Sequence, residues 1–163
     1  MQTTKNIIKY LILGGLFIIP FIPFIVPGAM YFPFIAGKGF AFRIIVEIIF
    51  GLFVVLAFAD KEYSPKMSWM TKAVLFFTGA VLLADIFGVN AYKSIWSNYE
   101  RMEGFVLIAH LAMFYIVSSS VLNSQSKWFQ FFNVSIFASA MMSVYGLFQV
   151  FGAVTINQGG TRV

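Results

Sequence analysis

Five apolar runs, each near or beyond the length that crosses a lipid bilayer, dominate this chain of 163 residues. They extend from Ile7 to Pro27, Phe40 to Ala59, Ala73 to Val89, Phe105 to Leu122 and Phe129 to Val154. A helix needs roughly 20 apolar residues to cross the hydrocarbon core. Each run meets or approaches that length. Polar punctuation separates them: Gly37-Lys38-Gly39, Asp60 to Lys72, Asn90 to Gly104, and Asn123 to Lys127. The pattern predicts an all-α, polytopic transmembrane helical bundle of about five spans, forming a single membrane region over residues 1–163. The short last connection predicts that the fourth and fifth spans form an antiparallel hairpin.

Composition removes the competing classes. Hydrophobic residues make up 60% of the chain and charged residues 10%, against about 25% charged in a soluble domain. A soluble globular enzyme of this length has too little polar surface to cover such a core, and disorder demands a far lower apolar fraction. The net charge of +5 is scattered, with none of the basic stripes that bind nucleic acid. Isolated cations beside membrane spans act as orientation signals and lipid-headgroup contacts, so the first expected partner is the bilayer itself. Cysteine is absent, which excludes a disulfide framework, a thiolate metal site and a cysteine nucleophile.

Lys5 and Lys9 stand at the start of the first run, as in a signal peptide, but the run exceeds the roughly 7–15 residues of a signal core and Pro27 spoils a small-residue cleavage site. The first run therefore reads as a retained span. Pro20, Pro23 and Pro27 remove backbone donors and predict a kinked or broken second half, either a loosely wound end at the interface or a re-entrant feature. A cytoplasmic N-terminus puts six cations inside (Lys5, Lys9, Lys61, Lys66, Lys72, Lys127) and five outside (Lys38, Arg43, Lys93, Arg101, Arg162). That balance and the first-span lysines favour this orientation.

Ionisable side chains within spans cost about 2.5–3.5 kcal/mol at the helix centre, so their placement is informative. Arg43 and Glu47 lie in the first turns of the second span, and Asp85 lies near the outer end of the third. Glu103 lies at the mouth of the fourth span, and His110 sits about 9 Å past Gly104 at 1.5 Å per residue. All fall at one side of the membrane under either orientation, with no equivalent set expected at the other. Arg43 and Glu47, spaced i, i+4, are expected to meet on one helical face, as a neutralised pair or in a polar cavity. Asp85 is expected either to pair with Lys93, Arg101 or Arg43, or to touch a substrate. His110 lacks metal-ligand spacing and reads as an interhelical hydrogen-bonder or a catalytic base. No metal or cofactor is expected.

The stretch from Asn90 to Gly104 carries the densest pattern. Tyr92, Trp96 and Tyr99 suit an interfacial aromatic belt, but a belt leaves Glu100-Arg101-Met102-Glu103-Gly104, set directly against the next span, unexplained. Glu100 or Glu103 can hold the Arg101 guanidinium, and a positioned guanidinium suits bidentate contact with phosphate oxygens.

Ser94-Ile95-Trp96-Ser97-Asn98-Tyr99-Glu100-Arg101-Met102-Glu103-Gly104 resembles the second extracytoplasmic loop of bacterial O-antigen ligase and O-antigen polymerase-like membrane proteins. Lys38 to Glu47, Tyr145-Gly146-Leu147-Phe148-Gln149 and the ending Gly160-Thr161-Arg162-Val163 are weaker pieces of the same likeness. The resemblance implies the N-terminal part of a GT-C-like membrane glycosyltransferase in the bacterial cytoplasmic membrane. Such a protein moves an oligosaccharide from a polyprenyl diphosphate carrier to an acceptor outside the membrane: lipid A core, polysaccharide or protein. It implies Arg101, Arg162 and Arg43 as diphosphate contacts, supported by Glu100, Glu103, Trp96, Glu47, Asp85 and His110. Family members are longer, with a large outer loop bearing essential Arg and His residues, so this chain is expected to be an N-terminal fragment of a longer protein. His110 does not match that family histidine. The competing reading is a small non-enzymatic membrane protein, a transporter or complex subunit that uses the same polar cluster for ions or partner helices.

Overall fold

The computed structural model describes residues 2–27, 35–98 and 101–153. Within them the chain is all-helical, with six α-helices: α1 Gln2–Ile18, α2 Ala36–Ala59, α3 Trp69–Ile86, α4 Ala91–Trp96, α5 Phe105–Val121 and α6 Gln125–Val150. Local chemistry sets the starts of three of them. Ser68 Oγ accepts from Thr71 N at 3.2 Å, Asn90 Oδ1 from Lys93 N at 3.0 Å, and Ser124 Oγ from Lys127 N at 3.4 Å. Each bond satisfies a backbone donor that the first turn of a helix leaves orphaned. The caps lie in the polar punctuation, so α3 and α6 begin four residues before the apolar runs at Ala73 and Phe129.

The prolines act where expected. The α-helical part of the first span stops at Ile18, and Ile19–Phe24, with Pro20 and Pro23, winds as a tighter 3₁₀ helix. A cavity of about 310 Å³ beside it is lined by Pro20, Pro23 and the α6 residues Ala138, Ser139, Met142 and Ser143. Ser143 Oγ donates to Ser139 O at 2.9 Å within α6, and both serines line the cavity beside the segment whose backbone donors the prolines remove.

Four helical segments are long and apolar enough to cross a membrane: Gln2–Phe24, Ala36–Ala59, Trp69–Ile86 and Gln125–Val150. This is the pattern of a multi-pass membrane protein. The fourth predicted span differs: α5 has 17 residues, about 26 Å at 1.5 Å per residue, at the lower limit for spanning a core about 30 Å thick. Gly104 and Leu122 flank it, and the helix matches the predicted run to within one residue.

The core lies where α1, α2 and α5 converge. Ile12 and Leu16 meet Ile49, Phe53 and Leu56 of α2 and Val117 and Val121 of α5. Helix α3 packs on α5. Helix α6 does not lie along α5 as the short connection predicts. It packs on the 3₁₀ segment, with Phe131 edge-on to Phe17 at 6.0 Å. A three-residue link keeps the two helices consecutive but does not by itself align them along each other. Outward faces are apolar: Phe58 is 90% exposed and Phe76 80%, positions suited to lipid rather than water.

Gly15 permits the closest helix approach, since a Cβ at that position runs into the Ile49 side chain. Helices in lipid associate by van der Waals fit rather than by the hydrophobic effect, so small residues at the contact matter. Gly15→Leu is expected to cost about 1–3 kcal/mol through overpacking, while Gly14→Leu, which meets nothing within 4 Å, is expected to be near neutral. Thermal unfolding of the two variants in one detergent tests the pair, and equal midpoints would contradict the α1–α2 contact.

Candidate functional site

The ionisable residues read from the spans do gather at one end of the bundle, but with partners that spacing does not predict. Arg43, on the second turn of α2, is 5% exposed. Its Nε donates to Gly39 O at 3.1 Å, Nη1 to Met102 O at 2.9 Å and, more weakly, Nη2 to Arg101 O at 3.4 Å. The guanidinium also sits 4.7 Å from the Phe40 ring centroid, within cation–π range. Arg43 therefore grips backbone at the start of its own helix and in the loop before α5. Expected to pair with Glu47, it does not: the carboxylate attracts it but forms no salt bridge with it. Two peptide carbonyls from the loop occupy the donor fork instead.

Glu47 turns to α5. Its Oε1 lies 3.0 Å from His110 Nε2, and His110 Nδ1 lies 2.6 Å from Val106 O. His110 is buried, at 7% exposure, and bridges α2 and α5. Asp85 sits at the same end, near the last turn of α3, but among the described residues its carboxylate forms no hydrogen bond or ion pair with Lys93, Arg101 or Arg43. It lies one residue from the end of its helix and is half-buried.

The loop itself is tightly built. Asn98 O accepts from Arg101 N at 3.1 Å and Met102 N at 2.9 Å. Met102 has φ 51°, a left-handed conformation uncommon for a bulky side chain. Such backbone persists when its surroundings hold it, and here Arg43 holds the Met102 carbonyl. Gly104 lies against the end of α4, where a Cβ would collide with the carbonyl oxygens of Ser94 and Ile95. Glycine is required by this approach of backbone to backbone. Glu103 is exposed and adds to the field that attracts Arg43.

Trp96 belongs to α4 and is 42% exposed. With Tyr92, one turn earlier, and Ser97 and Met102, it lines a cavity of about 250 Å³. Arg101, which precedes Met102 in the chain, is half-buried. Glu100 and Arg162 lie outside the described residues.

Sequence reasoning missed the opposite end, where no polar set is expected. Lys5 Nζ meets Asp60 Oδ2 at 3.4 Å, Asn123 Nδ2 donates to Glu62 Oε1 at 3.0 Å, and Lys127 Nζ donates to Asn123 Oδ1 at 2.6 Å and Val121 O at 3.2 Å. The Glu62 backbone N–H, followed by Lys5, holds the Asp60 carboxyl below its usual range. That contribution is present above the ordinary carboxylate range and fades as pH falls through it. These residues tie together the same-side ends of α1, α2, α5 and α6. The available signal was the run of polar residues at each helix end, here spent on structure.

Arg43→Ala is expected to free the loop, raising hydrogen exchange at the amides of residues 101–104 by about tenfold or more, since losing contacts to a charged donor costs about 1.5–3 kcal/mol. Exchange at wild-type rates would remove Arg43 as the anchor.

No family model, curated protein or solved structure matches this chain, so its chemistry rests on the geometry of its own residues.

Proposed function

We propose that this chain is the N-terminal part of a membrane glycan ligase or polymerase of the O-antigen ligase-like class. Five spans, the short α5 among them, cross the bacterial cytoplasmic membrane from a cytoplasmic N-terminus. In this reading the protein moves an oligosaccharide from a polyprenyl diphosphate carrier to an acceptor hydroxyl outside the membrane. The observation that carries the reading is the anchoring of the Arg101–Met102 backbone by buried Arg43, which holds this backbone at the polar end of the bundle, where Met102 lines an aromatic-walled cavity.

Transfer breaks the bond between the anomeric carbon and the diphosphate while the acceptor oxygen attacks that carbon and loses its proton. Negative charge grows on the departing diphosphate. A cation already held in place stabilises that charge without having to reorganise, and a guanidinium matches phosphate oxygens two at a time. Arg101 takes that role. Arg43, its donors committed to carbonyls, positions the loop rather than the substrate. Trp96 and Tyr92 supply the apolar wall against which a lipid-linked sugar lies.

A second reading, a non-enzymatic complex subunit, draws on one observation: α3 and α6 turn most of their apolar side chains outward, as helices awaiting partner helices do.

Arg101→Ala in the full-length protein is expected to lower glycan transfer in cells by about 100-fold, the scale of one transition-state contact, at an unchanged level of membrane-inserted protein. Wild-type glycan on an envelope blot sinks the diphosphate role and favours the subunit reading. Because the sequence has no cysteine, Ser97→Cys reports sidedness directly. An impermeant maleimide is expected to label it in intact cells, whereas labelling only after lysis reverses the topology.

A further inference from the structure

We propose that the groove beside the last turns of α2, at the end of the bundle opposite Arg101, binds one anionic phospholipid. An acyl chain lies in the groove, and the phosphate meets the lysines of the α2–α3 connection. The site is remote from the polar end that carries the glycan-transfer reading and stands independently of it.

A cavity of about 380 Å³ is lined on α2 by residues between Phe50 and Phe58, by Ser64 and Pro65 of the following turn, and by Ile116 of α5. Cavities that hold small ligands have roughly 300–1,000 Å³. Every lining side chain except Ser64 is hydrocarbon, and the Ser64 hydroxyl is spent on Ala57 O at 3.4 Å. An occupant that fits such walls is apolar. The α2 side of the groove runs over eight residue steps, about 12 Å at 1.5 Å per residue. That approaches the depth of one leaflet in a hydrocarbon core about 30 Å thick, so a lipid chain matches the groove in length as well as in chemistry.

The turn that closes the groove is held from three helices. Ser64 is tied to α2 through Ala57. The Lys66 carbonyl accepts from Ser68 N at 2.8 Å and from Thr71 Oγ1 at 2.9 Å. Thr71, buried in the first turn of α3, lies 3.4 Å from Tyr115 Oη of α5. The wall is therefore preformed, and the backbone of Lys66, next in the chain after the lining Pro65, is fixed at its edge.

Charge selects the headgroup. Six lysines stand at this end against two carboxylates, Asp60 and Glu62. Both carboxylates are engaged, Asp60 by Lys5 and Glu62 by Asn123. Lys61, Lys66 and Lys72 are exposed and, among the described residues, form no salt bridge. Lys72 lies 5.4 Å from the exposed Trp69 ring, and indole beside a cation is typical of headgroup depth. Cations at the membrane edge attract anionic headgroups, whereas a zwitterionic headgroup brings no net charge to answer them.

The full chain in a mild detergent is titrated with dioleoyl phosphatidylglycerol or dioleoyl phosphatidylcholine, and bound lipids are counted by native mass spectrometry. One phosphatidylglycerol is expected to bind at least tenfold more tightly than those that follow, and phosphatidylcholine is expected to lack this first step. Lys66→Gln, which keeps every backbone bond, is expected to weaken the step about fivefold. Ala57→Trp fills the groove and is expected to abolish the step, with Val54→Trp as a second filling variant and thermal melting as the check that each is folded. An equally tight first phosphatidylcholine, or a step unchanged when Lys61 and Lys66 are both replaced by Gln, overturns the headgroup assignment. A step that survives in a folded filling variant overturns the chain assignment. Displacement of the lipid by an equal concentration of glycerol phosphate means that the cations bind phosphate alone, which also overturns the proposal.

Discussion

A guanidinium buried among apolar helices has to find acceptors, and the polar end of this bundle is organised by where Arg43 finds them. Placing arginine inside a membrane span costs about 2.5–3.5 kcal/mol on insertion scales, and a left-handed Met102 adds roughly 1–3 kcal/mol. Hydrogen bonds to a charged donor return about 1.5–3 kcal/mol each. The two short bonds, to Gly39 and Met102, with the weaker third to Arg101, are on the scale needed to offset both costs. From that anchor the order runs on: Met102 fixes the turn, Gly104 presses against the end of α4, and α5 starts where His110 can reach Glu47.

Depth along the membrane was legible in the sequence because helical rise converts residue number into height. That is why Arg43, Glu47 and His110 could be assigned to one end before any contact was known. Partners were not legible. The i, i+4 spacing of Arg43 and Glu47 favours a pair, yet carbonyls 58 and 59 residues away and a histidine 63 residues away won. Backbone acceptors carry no residue-type signature, so no pattern of side chains announces them. Helix starts were misplaced for a similar reason. Ser68 and Ser124 sit in stretches that read as loop, and a cap draws the first turn of helix out into that polar ground.

The opposite end shows how counting charges can hide their use. Lys5, Lys127 and the charges after α2 each look like a topology signal when tallied by side. In three dimensions Lys5 meets Asp60, and Glu62 reaches Lys127 through Asn123. Such exposed pairs contribute little individually. Together they close the four helix ends in register, which leaves the variable geometry, the 3₁₀ break and the short α5, at the end that bears Arg101.

The short α5 and the buried arginine solve one problem between them. Arg43 lies about 10 Å along α2 from Ala36, at 1.5 Å per residue. Its reach to residues 101 and 102 sets non-helical backbone at that level of the bundle. Non-helical backbone at membrane depth is tolerated only where its polar groups are buried in protein or face water. The Met102 carbonyl, unsatisfied in lipid, is met by the guanidinium, and the guanidinium, equally unsatisfied alone, is met by the carbonyl. A full-length α5 would have satisfied those carbonyls within its own helix and left Arg43 without loop acceptors. Starting α5 at Phe105 exchanges helical hydrogen bonds for a charged anchor and holds a polar loop at the edge of an apolar bundle.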